Sequence, residues 1–382
     1  AAPADGGWSR WRYYWEEWLL RDRKAKFRRF VGAIAAGEER PFYFLHTVLP
    51  HRPYIYLPSG TSYRGERDGL DVPERWPDEP LAPVLAYQRH LLQVGFVDRL
   101  LGELVAQLRA AGVYDRALLV VVADHGVSFR PGEVTRNVTD TNFDEQERVP
   151  LFVKLPGQRA GRVSDRNVEL VDVLPTIAQT LGIAVPWRMD GHSMLDKQAP
   201  ERPNKTVLAW SSGTMETFPG RFAPAAMRRA IAYRLSLFGS GGSPAELFGI
   251  GEARSLLGRS LADSGVTGAV PIAVELDRGP RGKIDALPCI RGKLLDAADA
   301  RGALAVEIGG IVRAVTLPFT AKNGAIRLAA PIAESPSRAG AEVRVLRLPA
   351  ELSPALSSPA PASPGDRAGA DTDRHSRSRG RG

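Results

Sequence analysis

Apolar runs and their spacing divide the first part of the chain into predicted strands and helices. The aromatic run at residues 41–45 and the apolar run at residues 117–123 are typical of buried strands. Between them, residues 81–111 carry leucines and a phenylalanine near helical spacing, and Gly112 is a natural helix stop. A strand, a helix and a strand of these lengths predict a βαβ unit with two parallel strands. The Pro-, Gly- and charge-rich residues 50–80 are expected to form a long surface loop.

The pattern changes near residue 206, where short β-like runs with glycine-bearing turns replace the longer periodic segments. Upstream of this change, residues 149–154 predict a short strand and residues 168–181 predict a helix. Among the later runs, residues 303–319 have Gly309-Gly310 near their centre, which predicts a hairpin turn. We therefore expect an α/β fold class with four segments. They are a basic and aromatic amphipathic helix in residues 1–40, an α/β domain in 41–200, a β-rich accessory domain in 201–350 and a disordered Pro/Ser/Arg tail in 351–382.

Composition narrows the class of protein. The chain has 382 residues, of which 43% are hydrophobic and 25% are charged, and these shares are normal for a globular protein. Its single cysteine, Cys289, excludes an internal disulfide framework and is expected to be a small buried apolar residue. No apolar stretch reaches the length of a membrane span. Because the chain starts at Ala1 rather than at a methionine, we expect it to be a piece of a longer protein.

Most of the net charge of +8 lies near the N-terminus, where residues 8–30 hold eight Arg or Lys against three acidic residues. The same segment places Trp8, Trp11, Trp15 and Trp18 on one face of a predicted helix. Such a stripe with basic flanks could lie in a membrane interface. The favoured interpretation is a helix that packs its aromatic face on the domain and leaves a solvated basic face. We expect no nucleic-acid partner, because no reader motif accompanies the basic residues.

The candidate chemistry begins where the second predicted strand ends, in the segment ALLVVVADHG. Asp124 and His125 place a carboxylate and an imidazole side by side, and both can bind one divalent cation. Gly126 is expected to let the backbone turn sharply. In parallel α/β sheets, ligands bind beyond the carboxyl ends of the strands, where this couplet is expected to lie. The alternative interpretation is a strand-to-loop turn with an incidental histidine.

A second candidate, His51, follows the first predicted strand and lies between Pro50 and Pro53. The prolines stiffen the loop, so this imidazole could bind an oxyanion or donate a proton to a leaving group. The βαβ geometry predicts that His51 shares a sheet edge with Asp124 and His125. The alternative is a loop histidine that caps a backbone carbonyl. His46 is expected to be a packed histidine at the strand end.

Four ordered segments, HTVLPHRPYIYLPSG, VVADHG, RVPLFVKLPG and DVLPTIAQTLGI, resemble the sulfatase branch of the alkaline phosphatase superfamily. The resemblance covers about residues 41–196 and is nearest to membrane-tethered bacterial sulfatase-like proteins that are similar to lipoteichoic acid synthase. It implies a partial parallel-sheet core of the alkaline phosphatase type. It also implies that Asp124 and His125 are metal ligands and that His51 binds substrate. Asp172 and Pro175-Thr176 would be structural residues of a helix that packs against the sheet.

The departures from the family pattern are as informative as the matches. The family's acidic ligand on the first strand and its nucleophile, a formylglycine or a threonine, are not found, and Cys289 lacks the family's surrounding motif. Arg130 and Arg136 are candidates for a substrate-binding basic residue, with surface charge as the alternative. The expected cofactor is a divalent metal, Ca or Mn, with Zn possible as a third choice. Two ligands leave such a site under-coordinated, so the chain alone is predicted to be inactive.

Three functions remain open at this point. The first is a metal-dependent sulfate-ester hydrolase, and the second is a phosphoglycerol or phosphoethanolamine transferase of the cell envelope. The third is a non-catalytic module whose β-rich domain binds an envelope polymer. The expected partners are a sulfated or phosphorylated small molecule or envelope polymer, and a membrane reached through a segment outside this chain. The resemblance implies the extracytoplasmic face of the cell membrane as the location.

Overall fold

The computed structural model describes residues 22–37, 41–63, 72–209, 213–220, 224–240, 243–277, 288–333 and 341–356. The predicted tryptophan stripe at Trp8–Trp18 and most of the predicted disordered tail in 351–382 lie outside the described residues. Across the described ranges, no helix combines the length and the hydropathy that crossing a bilayer requires.

Helices dominate the first described segments. Helix α1 spans Arg23–Gly32 and helix α2 spans Leu81–Ala110. Along α2, Leu92, Phe96 and Leu100 recur every four residues and are fully buried, as the helical spacing predicted. The helix ends just before Gly112, whose φ of 67° is in the left-handed region that glycine adopts at helix ends. The predicted helix and its glycine stop are therefore confirmed.

The expected fold class, α/β with a small β-rich C-terminal part, is confirmed, but one strand pairing differs. Strand β1 (Leu119–Val122) pairs antiparallel with β2 (Leu151–Lys154). Residues 41–48 are irregular rather than a strand, so the expected parallel pair of a βαβ unit is not formed in the described residues. Phe42 and Phe44 are exposed and stack on each other. An aromatic run becomes a strand only where a neighbouring strand supplies hydrogen-bond partners, and propensity alone does not specify that neighbour.

Short elements follow the couplet and surround β2. Helix α3 spans Phe143–Gln146, and a 3₁₀ turn at Leu170–Asp172 leads into α4, Val173–Leu181. Strands β3 (Asn204–Ala209) and β4 (Thr214–Pro219) form an antiparallel pair, and α5 spans Pro224–Phe238. Further 3₁₀ turns lie at Pro244–Phe248, Glu252–Leu256, Ala297–Asp299 and Ala350–Leu352.

The C-terminal part is built from two four-stranded sheets. The strands are β5 Val270–Pro271, β6 Val274–Leu276, β7 Cys289–Leu294, β8 Leu304–Ile308, β9 Ile311–Thr316, β10 Phe319–Thr320, β11 Ile326–Pro331 and β12 Val343–Arg347. One sheet has the strand order β10-β11-β7-β6 and the other has the order β5-β12-β8-β9. Apolar side chains of both sheets, among them Ile290, Leu304, Leu328 and Val345, form one buried cluster. Two inner faces that share a core are typical of a β-sandwich.

Two predictions for this part of the chain are confirmed. Gly309 and Gly310 connect β8 and β9, and their φ angles of 61° and 79° are those of a tight hairpin turn. Cys289 is buried at the start of β7.

The chain separates into two compact units, each made of several segments. Of the described residues, the first contains those within 22–63, 72, 79–111 and 234–356, and the second contains those within 73–78 and 112–233. The first unit therefore includes residues 49–54, here called the His51 loop, and the β-sandwich of strands β5–β12. The second unit includes the Asp124-His125 couplet. The domain boundaries expected at residues 40, 200 and 350 stay predictions.

Candidate functional site

The couplet Asp124-His125 lies directly beyond the carboxyl end of β1. His125 Nε2 lies 3.9 Å from Asp124 Oδ2, and the His125 backbone N–H donates a 3.0 Å hydrogen bond to Asp124 Oδ1. The Asp124 side chain is 80% exposed and that of His125 is 30% exposed. The pair is therefore not buried in dry packing. A cation about 2 Å from both Nε2 and Oδ2 would lie nearly on the line between these two atoms, so a tetrahedral site requires the two side chains to move closer together.

The second ring nitrogen of His125 fixes the tautomer of the imidazole. His125 Nδ1 lies 2.6 Å from the carbonyl oxygen of Gly126. Because a carbonyl oxygen only accepts hydrogen bonds, Nδ1 carries a proton in this contact, and the neutral tautomer with that proton has its lone pair on Nε2. Metal-binding histidines are commonly oriented by this kind of hydrogen bond from the nitrogen that does not bind the metal. His125 is thus arranged to present Nε2 toward the Asp124 carboxylate.

These two side chains fit part of a metal site. Within the described ranges, no group of three or more His, Cys, Asp or Glu side chains is placed to hold a metal ion. Glu147 is the further carboxylate whose charge interacts with His125, and the sequence analysis did not single it out. Burial raises the pKa of Glu147, while the charge of His125 in its protonated form and the charge of Lys205 act in the opposite direction.

The loop after the couplet is held by Glu145, a residue of α3 that was not among those expected from the sequence. Glu145 Oε2 accepts hydrogen bonds from Ser128 Oγ at 2.7 Å and from the Phe129 backbone N–H at 3.3 Å. It also forms an ion pair of 3.4 Å with Arg130 Nε, in which both side chains are largely buried. The Arg130 guanidinium therefore neutralises an internal carboxylate, whereas Arg136 is exposed. A substrate-binding role for Arg130 or Arg136 stays a prediction.

The His51 loop is held from two helices. Arg23 on α1 donates from Nη1 to the His51 carbonyl at 2.7 Å and from Nη2 to the Pro53 carbonyl at 2.9 Å. Gln93 on α2 donates from Nε2 to the carbonyls of Pro50 and His51, both at 2.9 Å. The ring nitrogen Nδ1 of His51 lies 2.7 Å from the Arg52 carbonyl. Both X-Pro bonds of the loop, Leu49-Pro50 and Arg52-Pro53, are cis.

Two expectations about side chains near this loop are corrected. His46, expected to be packed at a strand end, is exposed because residues 41–48 do not join a sheet. Arg23, expected on a solvated basic helix face, is 1% exposed. Its charge is offset by two backbone carbonyls and by the face of the Tyr56 ring, 5.2 Å from the guanidinium carbon.

Asp172 has the structural role that the resemblance implied. It forms a bidentate pair with Arg202, at 2.7 and 2.9 Å, and accepts hydrogen bonds from the backbone N–H groups of Glu169 and His192. Burial acts to raise the pKa of Asp172, but these hydrogen bonds outweigh it and hold the pKa below its usual value. Thr176 donates to the Asp172 carbonyl and accepts from the Met194 N–H. These contacts join the start of α4 to residues 192–194.

The structure places His51 in one compact unit and the couplet in the other. That His51, Asp124 and His125 share one edge stays a prediction. Gln93 could have been recognised from the sequence as a buried polar residue, because it lies beside Leu92 and Phe96 on a helix with an apolar face. Nothing in the sequence distinguishes Arg23, because it is one of many basic residues in its segment.

Comparison with known proteins connects this geometry to a family. Residues 10–183 match the family model described as sulfatase. A multifunctional alkaline phosphatase superfamily protein, PehA, from Trinickia caryophylli is 32% identical over 114 residues, which are 28% of this chain and 21% of that protein. Lipoteichoic acid synthase of Staphylococcus saprophyticus is 27% identical over 186 residues, covering 47% of this chain and 26% of that one. Arylsulfatase K of Bos taurus is 30% identical over 213 residues, covering 47% of this chain and 38% of that protein. The chain thus spans well under half the length of each of these relatives.

Proposed function

We propose that this chain, whose residues 10–183 are a sulfatase-family domain of the alkaline phosphatase superfamily, takes part in the metal-dependent hydrolysis of sulfate esters. The observation that carries the proposal is the geometry of the couplet. His125 keeps its proton on Nδ1, so Nε2 and the Asp124 carboxylate present two ligand atoms 3.9 Å apart. Members of this superfamily generally use a divalent metal, which supports a cation at this place.

Each side chain has a distinct part in the proposed reaction. Asp124 and His125 would hold the cation, which when bound neutralises charge on a sulfate or phosphate group. His51 would contact the ester oxygens through its imidazole ring and stabilise the leaving oxygen. The rigid anchoring of the His51 loop supports this role, because a binding group held in place loses less freedom when its ligand arrives.

The donor set favours Mn²⁺ or Zn²⁺ over Ca²⁺. One carboxylate and one imidazole suit borderline cations, whereas Ca²⁺ requires six or more oxygen ligands. With two protein ligands, the affinity is expected to be weak. The sequence offers no nucleophile in the family's pattern, so we propose that the chain alone binds its ligands without turnover.

Titration of the purified chain with Mn²⁺, followed by electron paramagnetic resonance of the free ion, tests the site. We expect weak binding that falls by about tenfold or more in Asp124→Ala and in His125→Ala, because each variant removes one of two ligands. His46→Ala is the control, since it removes an exposed histidine outside the couplet. Equal Mn²⁺ binding by all four proteins would overturn the proposed site. Steady sulfate release from an aryl sulfate by the chain, abolished by Asp124→Ala, would contradict the proposed lack of turnover.

A second candidate is supported by one relative. The similarity to lipoteichoic acid synthase favours transfer of a phosphoglycerol or phosphoethanolamine group onto an envelope polymer, and with it an extracytoplasmic location. Binding of aryl sulfate, phosphate monoester and phosphodiester probes, compared on the Mn²⁺-loaded protein, separates the two candidates. Preferential binding of the phosphodiester that is lost in His51→Ala favours transfer, and preferential binding of the sulfate favours hydrolysis.

A further inference from the structure

We infer that Arg23 and Gln93 are positioning residues that together set the orientation of the His51 imidazole. This inference deepens the proposed function, because it rests on His51 as the group that binds the sulfate or phosphate ester. All residues involved belong to the first compact unit.

Two buried side chains hold most of the polar backbone of the His51 loop. Arg23 and Gln93 are 1% and 0% exposed. Between them they donate to three carbonyls, those of Pro50, His51 and Pro53. Gln93 Oε1 in turn accepts a 3.0 Å hydrogen bond from the Ile55 N–H. The His51 carbonyl accepts from both side chains, at 2.7 and 2.9 Å, and is the point where the two helices converge on the loop.

The loop depends on external donors because of its prolines. Pro50 and Pro53 have no N–H, so the loop cannot build a regular hydrogen-bond ladder that would satisfy its own carbonyls. The planar fork of arginine reaches two acceptors at a fixed spacing, here the carbonyls of His51 and Pro53. A lysine at position 23 would present a point charge without that fork. The amide of Gln93 provides a donor and an acceptor at once, which a carboxylate or an apolar side chain cannot.

The anchored carbonyls of His51 and Pro53 also limit the orientation of the His51 imidazole through the backbone between them. Arg52 lies between His51 and Pro53, the two residues whose carbonyls Arg23 holds. The Arg52 carbonyl is therefore fixed in direction, and it accepts the 2.7 Å hydrogen bond from Nδ1 of the His51 ring. Arg52 is tied further by its own side chain, whose Nη1 donates to the Val72 carbonyl at 2.6 Å. Loss of Arg23 or Gln93 should loosen the carbonyl that orients the ring.

The helix that carries Gln93 also supplies a matched control. Gln107 lies on the same helix, α2, and its Nε2 also donates a 2.9 Å hydrogen bond to a backbone carbonyl, that of Ile34. This contact lies outside the His51 loop. Gln93→Leu and Gln107→Leu therefore each remove an α2 glutamine that donates to a backbone carbonyl, and only the first touches the loop. Gln93→Leu removes three hydrogen bonds and Gln107→Leu removes one. Arg28→Lys is the corresponding control for Arg23→Lys, because Arg28 pairs with Glu103 on the surface.

The experiment uses the whole chain with ¹³C,¹⁵N-labelled histidine, and His51→Gln assigns the His51 signals among those of six histidines. Two quantities are measured by NMR: the exchange rate of the His51 Nδ1–H proton, and the shift of the His51 ring during titration with inorganic sulfate at constant ionic strength. We expect Gln93→Leu and Arg23→Lys to speed the exchange and to weaken sulfate binding by about fivefold, because a loosened ring loses a hydrogen bond's worth of contact with the anion. The control variants should match the unmodified chain in both quantities.

The Nδ1–H exchange rate tests the positioning role of Arg23 and Gln93, and the sulfate response tests the proposed function on which that role rests. If Gln93→Leu leaves the Nδ1–H exchange rate unchanged, or if Gln107→Leu raises it equally, the positioning role is overturned. If the unmodified chain shows no sulfate response at His51 while the exchange rates follow the expected order, the proposed function fails and the positioning role stands.

Discussion

Gly126 shows that a motif residue can be required for a reason that differs from the expected one. The sequence suggested a glycine that turns the backbone, but its φ is not among the positive values found at other glycines. Its N–H donates to the Gln146 carbonyl at 2.6 Å, and a Cβ at this position would lie 1.9 Å from the Glu145 carbonyl oxygen. The glycine therefore permits close approach of two backbone segments beside the candidate metal ligands.

Gly126→Ala is expected to destabilise the protein by about 1–3 kcal/mol, because backbone atoms must move to admit the methyl group. Gly102→Ala is the matched control. Gly102 lies inside α2 with nothing within 4 Å of the added Cβ, so the same substitution should stabilise by about 0.5–1 kcal/mol. Urea unfolding followed by circular dichroism measures both. Unfolding midpoints that shift in the same direction would contradict this account of Gly126.

Residue types and spacing were sufficient to select the candidate ligands but not the residues that hold them. Asp124, His125 and His51 stand out because their side chains carry metal-binding or proton-transfer chemistry at predicted strand ends. Arg23 contacts residues at least 28 positions away in the chain, and Glu145 contacts residues 15 to 17 positions away. Such contacts are set by the packing of distant segments, which local sequence does not encode.

Helices α2 and α4 differ in how their apolar residues are used. The apolar face of α2 is buried, as its periodicity predicted. The apolar residues Leu170, Leu174 and Leu181 also recur at helical spacing, in and just before α4, yet all three are exposed in the described structure. In α4 the buried residues are Pro175, Thr176 and Ala178, and Thr176 accepts a hydrogen bond from the Met194 N–H. Periodicity identifies an amphipathic helix but does not show which face is covered.

The same substitution in each helix tests this difference. Leu100→Ala removes a fully buried side chain from α2 and is expected to cost about 2–5 kcal/mol. Leu174→Ala removes a side chain that is 50% exposed and is expected to cost less than about 1 kcal/mol. Thermal unfolding of both variants provides the comparison. A loss at Leu174 as large as that at Leu100 would mean that the α4 stripe is covered in solution.

At the scale of the whole molecule, one buried histidine couples stability to pH. The ring of His90 on α2 contacts Tyr54 from the His51 loop, with 5.1 Å between ring centroids, and lies near Tyr87 and Arg234. Burial, with a smaller contribution from the positive charge of Arg234, lowers the pKa of His90 to about 4. The folded protein therefore keeps this ring neutral at pH values where the unfolded chain would protonate it.

The expected sign follows from this lowered pKa. Above pH 6.5, His90 is neutral in both states and contributes no pH dependence. As the pH falls from 6.5 to about 4, the unfolded chain binds a proton that the folded protein does not, so the free energy of unfolding falls, by at most about 3 kcal/mol in total. His90→Gln should flatten this part of the profile, and His46→Gln, at an exposed site, should not. The check is urea unfolding at several pH values, and identical slopes for all three proteins would contradict the assignment.

The sequence alone determined the α/β class, the long helix α2, the hairpin at Gly309-Gly310, the buried Cys289 and the family resemblance, because each depends on local periodicity, turn chemistry or ordered motifs. Tertiary structure decided the antiparallel pairing of β1 with β2, the irregular course of residues 41–48, the burial of Arg23 and the role of Glu145. Strand pairing and burial depend on which distant segments meet. A local sequence pattern limits the secondary structures that a segment can form. The segments that pack against it decide which of them forms and which side chains are buried.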